Sequence, residues 1–178
     1  GGSSFAVSLR RHGRSAFPAF DVSRAIGWFS TTVPLVLAAD DALDPAALVK
    51  SIGHQLRAVP RDGIAYGVLR YLERDAFFVS LEPPRMLVNH LGHLGAPRAD
   101  TLFRRSDDRA ADRATDRERL ERDDHSLALT TTVRRGRLSM EWSFRPDRHR
   151  RDAVEGLASR TRDWLLALSA DAAVAVSS

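Results

Sequence analysis

Three short stretches of the sequence carry the side chains best suited to chemistry: "RRHGRS" at 10–15, "FSTT" at 29–32 and "NHLGH" at 89–93. His12, in the first, is a lone histidine at the end of an alternating stretch. Histidine can move a proton near neutral pH, but in such a place it is more often a hydrogen-bonded structural residue than a base. Ser30, Thr31 and Thr32 offer three adjacent hydroxyls, each able to donate and accept. They lack the strand-turn-helix context that turns a serine into a nucleophile, which argues against hydrolase chemistry. Asn89 could orient a carbonyl or satisfy nearby backbone. His90 and His93 stand three apart, on a strand and the loop after it, with no carboxylate close in sequence. The reading is therefore that they hold no metal. The chain has no cysteine, so it offers no thiolate nucleophile, no thiolate metal ligand and no disulfide. That is compatible with a cytoplasmic location.

Hydrophobic spacing gives the elements that must hold these residues. "FAVSLRRHG" (5–13) alternates and stops at glycine, which reads as a strand. "SAFPAFDVS" (15–23) is a loop. "IGWFSTTVPLVLAA" (26–39) reads as a long strand, and Pro34 inside it requires an edge position or a bulge. In 41–59, Asp44 is the expected N-cap and Pro45 the first helical residue. Leu48, Val49, Ile52 and Leu56 give that helix its apolar stripe. "PRDG" (60–63) is a turn before a short helix over 64–72, in which Tyr66 and Gly67 are expected to pack against the sheet. "RMLVNHLG" (85–92) reads as a buried strand. "SLALTTTVRRGRLSMEWSF" (126–144) is a hairpin, with Gly136 free to take positive φ. The final helix, 150–173, carries Val154, Leu157, Ala158, Thr161, Trp164, Leu165 and Leu168 on one face. Strands and helices mix without strict alternation. The fold class is therefore α/β in the α+β sense, a mixed β-sheet with helices packed on it.

A chain of 178 residues with 43% hydrophobic content suits one domain with a real core. "GGSS" (1–4) reads as an artificial leader. The net charge is +4, and Lys50 is the only lysine. The arginines mostly alternate with aspartates, as in "RRSDDRAADRATDRERLERDD" (104–124). A nucleic-acid site would instead cluster its charge, so that function is disfavoured. No apolar run approaches the roughly 18 residues a membrane span needs. Residues 97–124 hold few large apolar groups, and a flexible loop is expected there.

Four strings, taken in order, resemble one family. "RRHGRS" (10–15) looks like EGHGRE, and "SRAIGWFSTTVPL" (23–35) looks like RTVGWFTxxYP. "VPRDGIAYG" (59–67) is similar to PxxGxGYG, and "VNHLG" (88–92) to FNYLG. These motifs belong to the second half of epimerisation domains of nonribosomal peptide synthetases, relatives of the condensation domains. The resemblance runs from about Ser8 to Ala170. It implies a chloramphenicol-acetyltransferase-like single lobe, the C-terminal one of two, spanning 1–178. It also implies a peptidyl carrier protein as partner, whose phosphopantetheine arm enters a tunnel between the lobes, and no cofactor bound directly. Trp28 would then supply an apolar wall of the tunnel. Ser30, Thr31 and Thr32 would hydrogen-bond the arm, and Asn89 and His90 would face it.

The family's catalytic HHxxxDG motif has no match in these residues. The nearest Asp-Gly pair, Asp62-Gly63, has no histidine before it. The glutamate that opens EGHGRE aligns with Arg10, and an arginine stays protonated and cannot act as a base. His12 survives as a weak catalytic candidate, and His90 stands where the family has tyrosine. The resemblance thus implies half of an epimerisation or condensation-type domain that is inactive alone. Two alternatives stay open: a split enzyme completed by a separate HHxxxDG-bearing lobe, and a degenerate module that docks a carrier protein or other partner. A homo-oligomer is expected from the bared face, with Trp28 and Phe29 on it.

Overall fold

The computed structural model describes residues 3–14, 21–22, 24–27, 29–40, 43–94 and 125–176. Five strands form one mixed sheet: β1 (Ser3–Arg11), β2 (Thr31–Ala39), β3 (Met86–Leu94), β4 (Leu127–Arg134) and β5 (Arg137–Phe144), in the spatial order β2-β1-β3-β4-β5. The outer pairs β1/β2 and β4/β5 are antiparallel, and the inner pairs β1/β3 and β3/β4 are parallel. The helices are α1 (Pro45–Arg57), α2 (Ile64–Gly67), α3 (Ala76–Ser80) and α4 (Arg151–Val176). A wider, π-type turn over Val68–Leu72 continues α2.

Local chemistry accounts for most boundaries. The Asp44 carboxylate accepts from the Ala47 amide at 2.9 Å and Pro45 opens α1, so the expected cap is in place. Pro34 sits in β2, which is an edge strand with β1 as its one neighbour, so its missing N–H costs no interior ladder bond. Gln55 of α1 closes the outer edge of β2. Its side-chain oxygen accepts from the Ala38 amide and its nitrogen donates to the Ala38 carbonyl, both at 2.9 Å. The hairpin turns through Arg135 and Gly136 with φ of 49° and 72°, the left-handed pair that suits a tight β-hairpin.

The register sorts side chains onto two faces. Val7, Val33, Leu37 and Leu127 are buried on one face, and Val154 of α4 is buried as well. Ser8, Leu87 and Ala128 are buried on the other.

Several expectations need correction. The strand expected at 26–39 begins only at Thr31, because β1 ends at Arg11, the ladder partner of Thr31, and leaves 26–30 nothing to pair with. The expected helix over 64–72 is a single α-helical turn followed by the wider turn, and α3 is an element that the sequence pattern does not announce. β3 runs through Leu94, so His93 is a strand residue rather than a loop residue. Val49 of α1 and Trp164 of α4, assigned to apolar stripes, are 48% and 40% exposed. The loop expected at 97–124 lies outside the described residues.

Candidate functional site

The ladder aligns five polar side chains in one row across the sheet. Thr32 of β2, Arg10 of β1, Asn89 of β3, Thr130 of β4 and Glu141 of β5 are successive partners on one face. The Arg10 Nε lies 3.5 Å from the Thr32 hydroxyl, the donor's side of a long hydrogen bond. A cavity of about 450 Å³ opens over the β2 end of this row. It is lined by Ser8 of β1, by Arg10, Ser30, Thr31, Thr32 and Pro34 from the first two family-like strings, and by Tyr66, Gly67, Arg70 and Tyr71 from the segment after α1. Pro83 and His125 complete it.

The loop that leads into β2 is fastened by Arg14. Its guanidinium donates to the Val22 carbonyl at 2.6 Å and to the Ala25 carbonyl at 3.3 Å, and it lies 4.5 Å above the Phe29 ring. Phe29 is thereby half-buried rather than bare, which corrects the expectation that it lies on an open apolar face. Gly13 completes the junction. It is buried with φ at 67°, and a Cβ there would stand 1.9 Å from the Phe29 carbonyl oxygen.

The sequence candidates fall into different environments. His12 is exposed, and its Nδ1 accepts from the Arg14 amide at 3.1 Å, the pattern of a residue that shapes a turn. Ser30 and Thr32 line the cavity with Arg10. Thr31 also reaches its lining, but alternation puts its side chain beside Arg11 on the other face, and its hydroxyl oxygen is buried with no hydrogen-bond partner among the described residues. Asn89 shares the Arg10 face but lies outside the cavity lining. His90 points to the opposite face, where its Nδ1 lies 2.8 Å from the Thr131 hydroxyl. Neighbours on a strand alternate, so Asn89 and His90 do not face the same space. Trp28 lies outside the described residues. Among the described residues no cluster of metal-ligating side chains occurs, and His90 and His93 flank a register shift in the β3/β4 ladder.

Several cavity residues, among them Tyr66, Arg70, Tyr71 and His125, are not marked for this role by the sequence pattern. Tyr66 is expected to serve packing, whereas it and Arg70 both line the cavity, with the Arg70 guanidinium 5.9 Å from the Tyr66 ring centre. Their separation of four on a helical turn is the signal that could have joined them. Tyr71 follows next to Arg70. Burial pushes the Tyr66 phenol above its ordinary value, although the positive charge of Arg70 opposes the shift. Arg70 Nη1 donates to the carbonyls of Phe78 and Leu81, the latter at 2.8 Å, so α3 and its exit hold the guanidinium in place. His125, 3% exposed, follows a long charged stretch and precedes β4, and no local pattern marks it.

The family model for the condensation domain matches residues 1–178. The chain belongs to the condensation domain family. It is 34% identical over 172 residues to a linear gramicidin synthase of Brevibacillus parabrevis, covering 92% of this chain and 3% of that protein. It is 30% identical over 169 residues to surfactin synthase subunit 2 of Bacillus subtilis, covering 94% of this chain and 4% of that protein. The fold resembles the crystal structure of the epimerization domain from the third module of tyrocidine synthetase B. The TM-score is 0.68 at 23% identity, over 92% of this chain and 37% of that one. The starter condensation domain of rhizomide synthetase matches with a TM-score of 0.58 at 14% identity, over 94% of this chain and 37% of that one. This condensation-family chain therefore spans a few per cent of its curated relatives and about a third of each solved domain. No helix among the described residues is long and apolar enough to cross a membrane.

Proposed function

We propose that the chain is the C-terminal half of an epimerisation or condensation-type domain of a nonribosomal peptide synthetase. In this reading it forms one wall of the tunnel that receives the phosphopantetheine arm of a peptidyl carrier protein. The observation that carries the proposal is the convergence of three of the family-like strings on one cavity: Arg10, the hydroxyls of Ser30 and Thr32, and Tyr66 with Gly67. The Thr32 hydroxyl on β2 and the Ser30 hydroxyl just before it suit the arm's amides. The wall is catalytically incomplete on its own. Arg10 cannot accept a proton, and His12 is exposed with its Nδ1 already engaged by the Arg14 amide. The other lobe, bearing HHxxxDG, supplies the missing histidine, and the setting is cytoplasmic.

The test is to incubate the 178 residues with an aminoacyl carrier protein, alone and with an HHxxxDG-bearing N-terminal lobe. Alone, the chain is expected to give no epimerisation and no condensation above background. Turnover that appears only when the second lobe is added supports the reading. Racemisation of the thioester by this chain alone, lost in His12→Ala, would overturn it and make His12 the base.

A further inference from the structure

Three consecutive residues before α2 take left-handed backbone: Arg61, Asp62 and Gly63, with φ of 46°, 59° and 81°. Glycine adopts this conformation freely and aspartate more readily than most residues, but arginine does so at a cost. Such a run persists only where its surroundings hold it. Two contacts hold this one. Gly63 is buried against β2, and a Cβ there would stand 2.4 Å from the Val33 side chain. The Asp62 carboxylate forms an ion pair with the Arg11 guanidinium, and the two side chains are only 22% and 26% exposed. A pair so placed is screened less than one in open solvent.

Arg11 and Thr31 are the last partners of the β1/β2 ladder. Alternation puts Arg11 and Val33 on the face opposite Arg10 and Thr32. The turn thus docks on one face of the sheet, while Tyr66, three residues beyond Gly63, lines the cavity together with Arg10 and Thr32. Thr31, the ladder partner of Arg11, reaches the same lining. We infer that Arg11 and Asp62 are positioning residues, a clasp that fixes the left-handed turn on the end of β1 and so holds Tyr66, Gly67 and Arg70 against the wall formed by Arg10, Ser30 and Thr32. Neither Arg11 nor Asp62 lines the cavity, so both act through the residues that do. The clasp sets the cavity's shape whatever the cavity receives, and its failure is therefore separable from that of the tunnel-wall reading.

The chain contains two tyrosines, Tyr66 and Tyr71. The experiment follows their rings by NMR and by alkaline absorbance in the full chain, with the signals assigned through Tyr66→Phe. Asp62→Asn removes a charge and keeps a side chain that tolerates left-handed backbone. Arg11→Gln removes the opposite charge. Through space alone the two act oppositely on a phenol: losing a carboxylate favours the phenolate, and losing a guanidinium disfavours it. Through position they act alike, because either change frees the wall and lets water reach Tyr66. Both variants are expected to shift the Tyr66 ring signal and to bring its ionisation to lower pH. The double variant is expected to go no further than the larger single change. Arg11→Lys, which keeps the charge, is expected to stay close to the parent. Circular dichroism and urea midpoints check that folded chain is being read. Opposite shifts in the two single variants overturn the clasp, as does an unmoved Tyr66 in either folded variant or full addition in the double variant. Should Asp62→Asn not fold, Arg11→Gln decides alone, and unchanged or later ionisation of Tyr66 overturns the clasp.

Discussion

Arg10 and Tyr66 define the character of the site more than any histidine does. Tyr66 sits where burial and a neighbouring charge change what an ordinary side chain does. The Tyr66 phenol is pushed upward by burial, with Arg70 opposing and Tyr71 adding to the rise. A raised value in the folded state means that the folded chain holds the phenolic proton to higher pH than the unfolded chain does. The associated stability is present in full below the ordinary tyrosine value and is lost as pH climbs through the folded one. Absorbance at alkaline pH is expected to show one of the two tyrosines ionising later than a free phenol. Tyr66→Phe is expected to remove that late phase, and a late phase that persists in the variant would refute the assignment. His12 illustrates the reverse case: a histidine in a suggestive motif whose geometry is that of a turn, because Arg14 donates its amide to the ring.

Between β1 and β2 the chain makes its sharpest demand on sequence. Gly13 is buried at a φ of 67° against the Phe29 carbonyl, and that contact sets where β2 can begin. An alanine there meets both a left-handed backbone and a fixed carbonyl. Gly13→Ala is expected to cost on the order of 2–4 kcal/mol, read as a lower urea midpoint at unchanged slope, with the β2 hydroxyls displaced. A midpoint within error of the parent would show that the loop yields freely. The strand patterns, the Asp44-Pro45 helix start, the Arg-Gly hairpin turn and the edge placement of Pro34 are legible because each follows from neighbours in sequence. The site is legible only in part. Ser30, Thr32 and Arg10 lie in motifs, and Arg70 stands one helical turn after Tyr66, but His125 joins them through the fold, and nothing within a few residues of it says so. The false extension of β2 back to Ile26 has the same cause: an apolar run looks like a strand whether or not a partner reaches it. In the folded chain Ile26 is wholly exposed.

The whole molecule leaves an apolar patch that the sequence pattern places elsewhere. Phe29, expected on the bare face, lies under the Arg14 guanidinium. A group of exposed side chains close in sequence lies instead around the turn after α2 and on α3, where Tyr71, Leu72, Phe77 and Val79 are 69%, 76%, 64% and 46% exposed. Phe77 and Phe78 stack edge to face with ring centres 5.3 Å apart, so Phe77 presents as a fixed ridge. Burying such side chains is worth about 1.5–3 kcal/mol each. Four of them lie within nine residues, and exposed apolar groups that adjoin tend to associate. Self-association through this ridge is expected, with sedimentation coefficients that rise with concentration. Replacing Leu72 by Asn and Phe77 by Ser together is expected to shift the equilibrium toward monomer, with stability little changed because both side chains are already in water. If the double variant associates as strongly as the parent, the contact lies elsewhere. If the parent is monomeric at high concentration, the ridge is not a self-association surface at all.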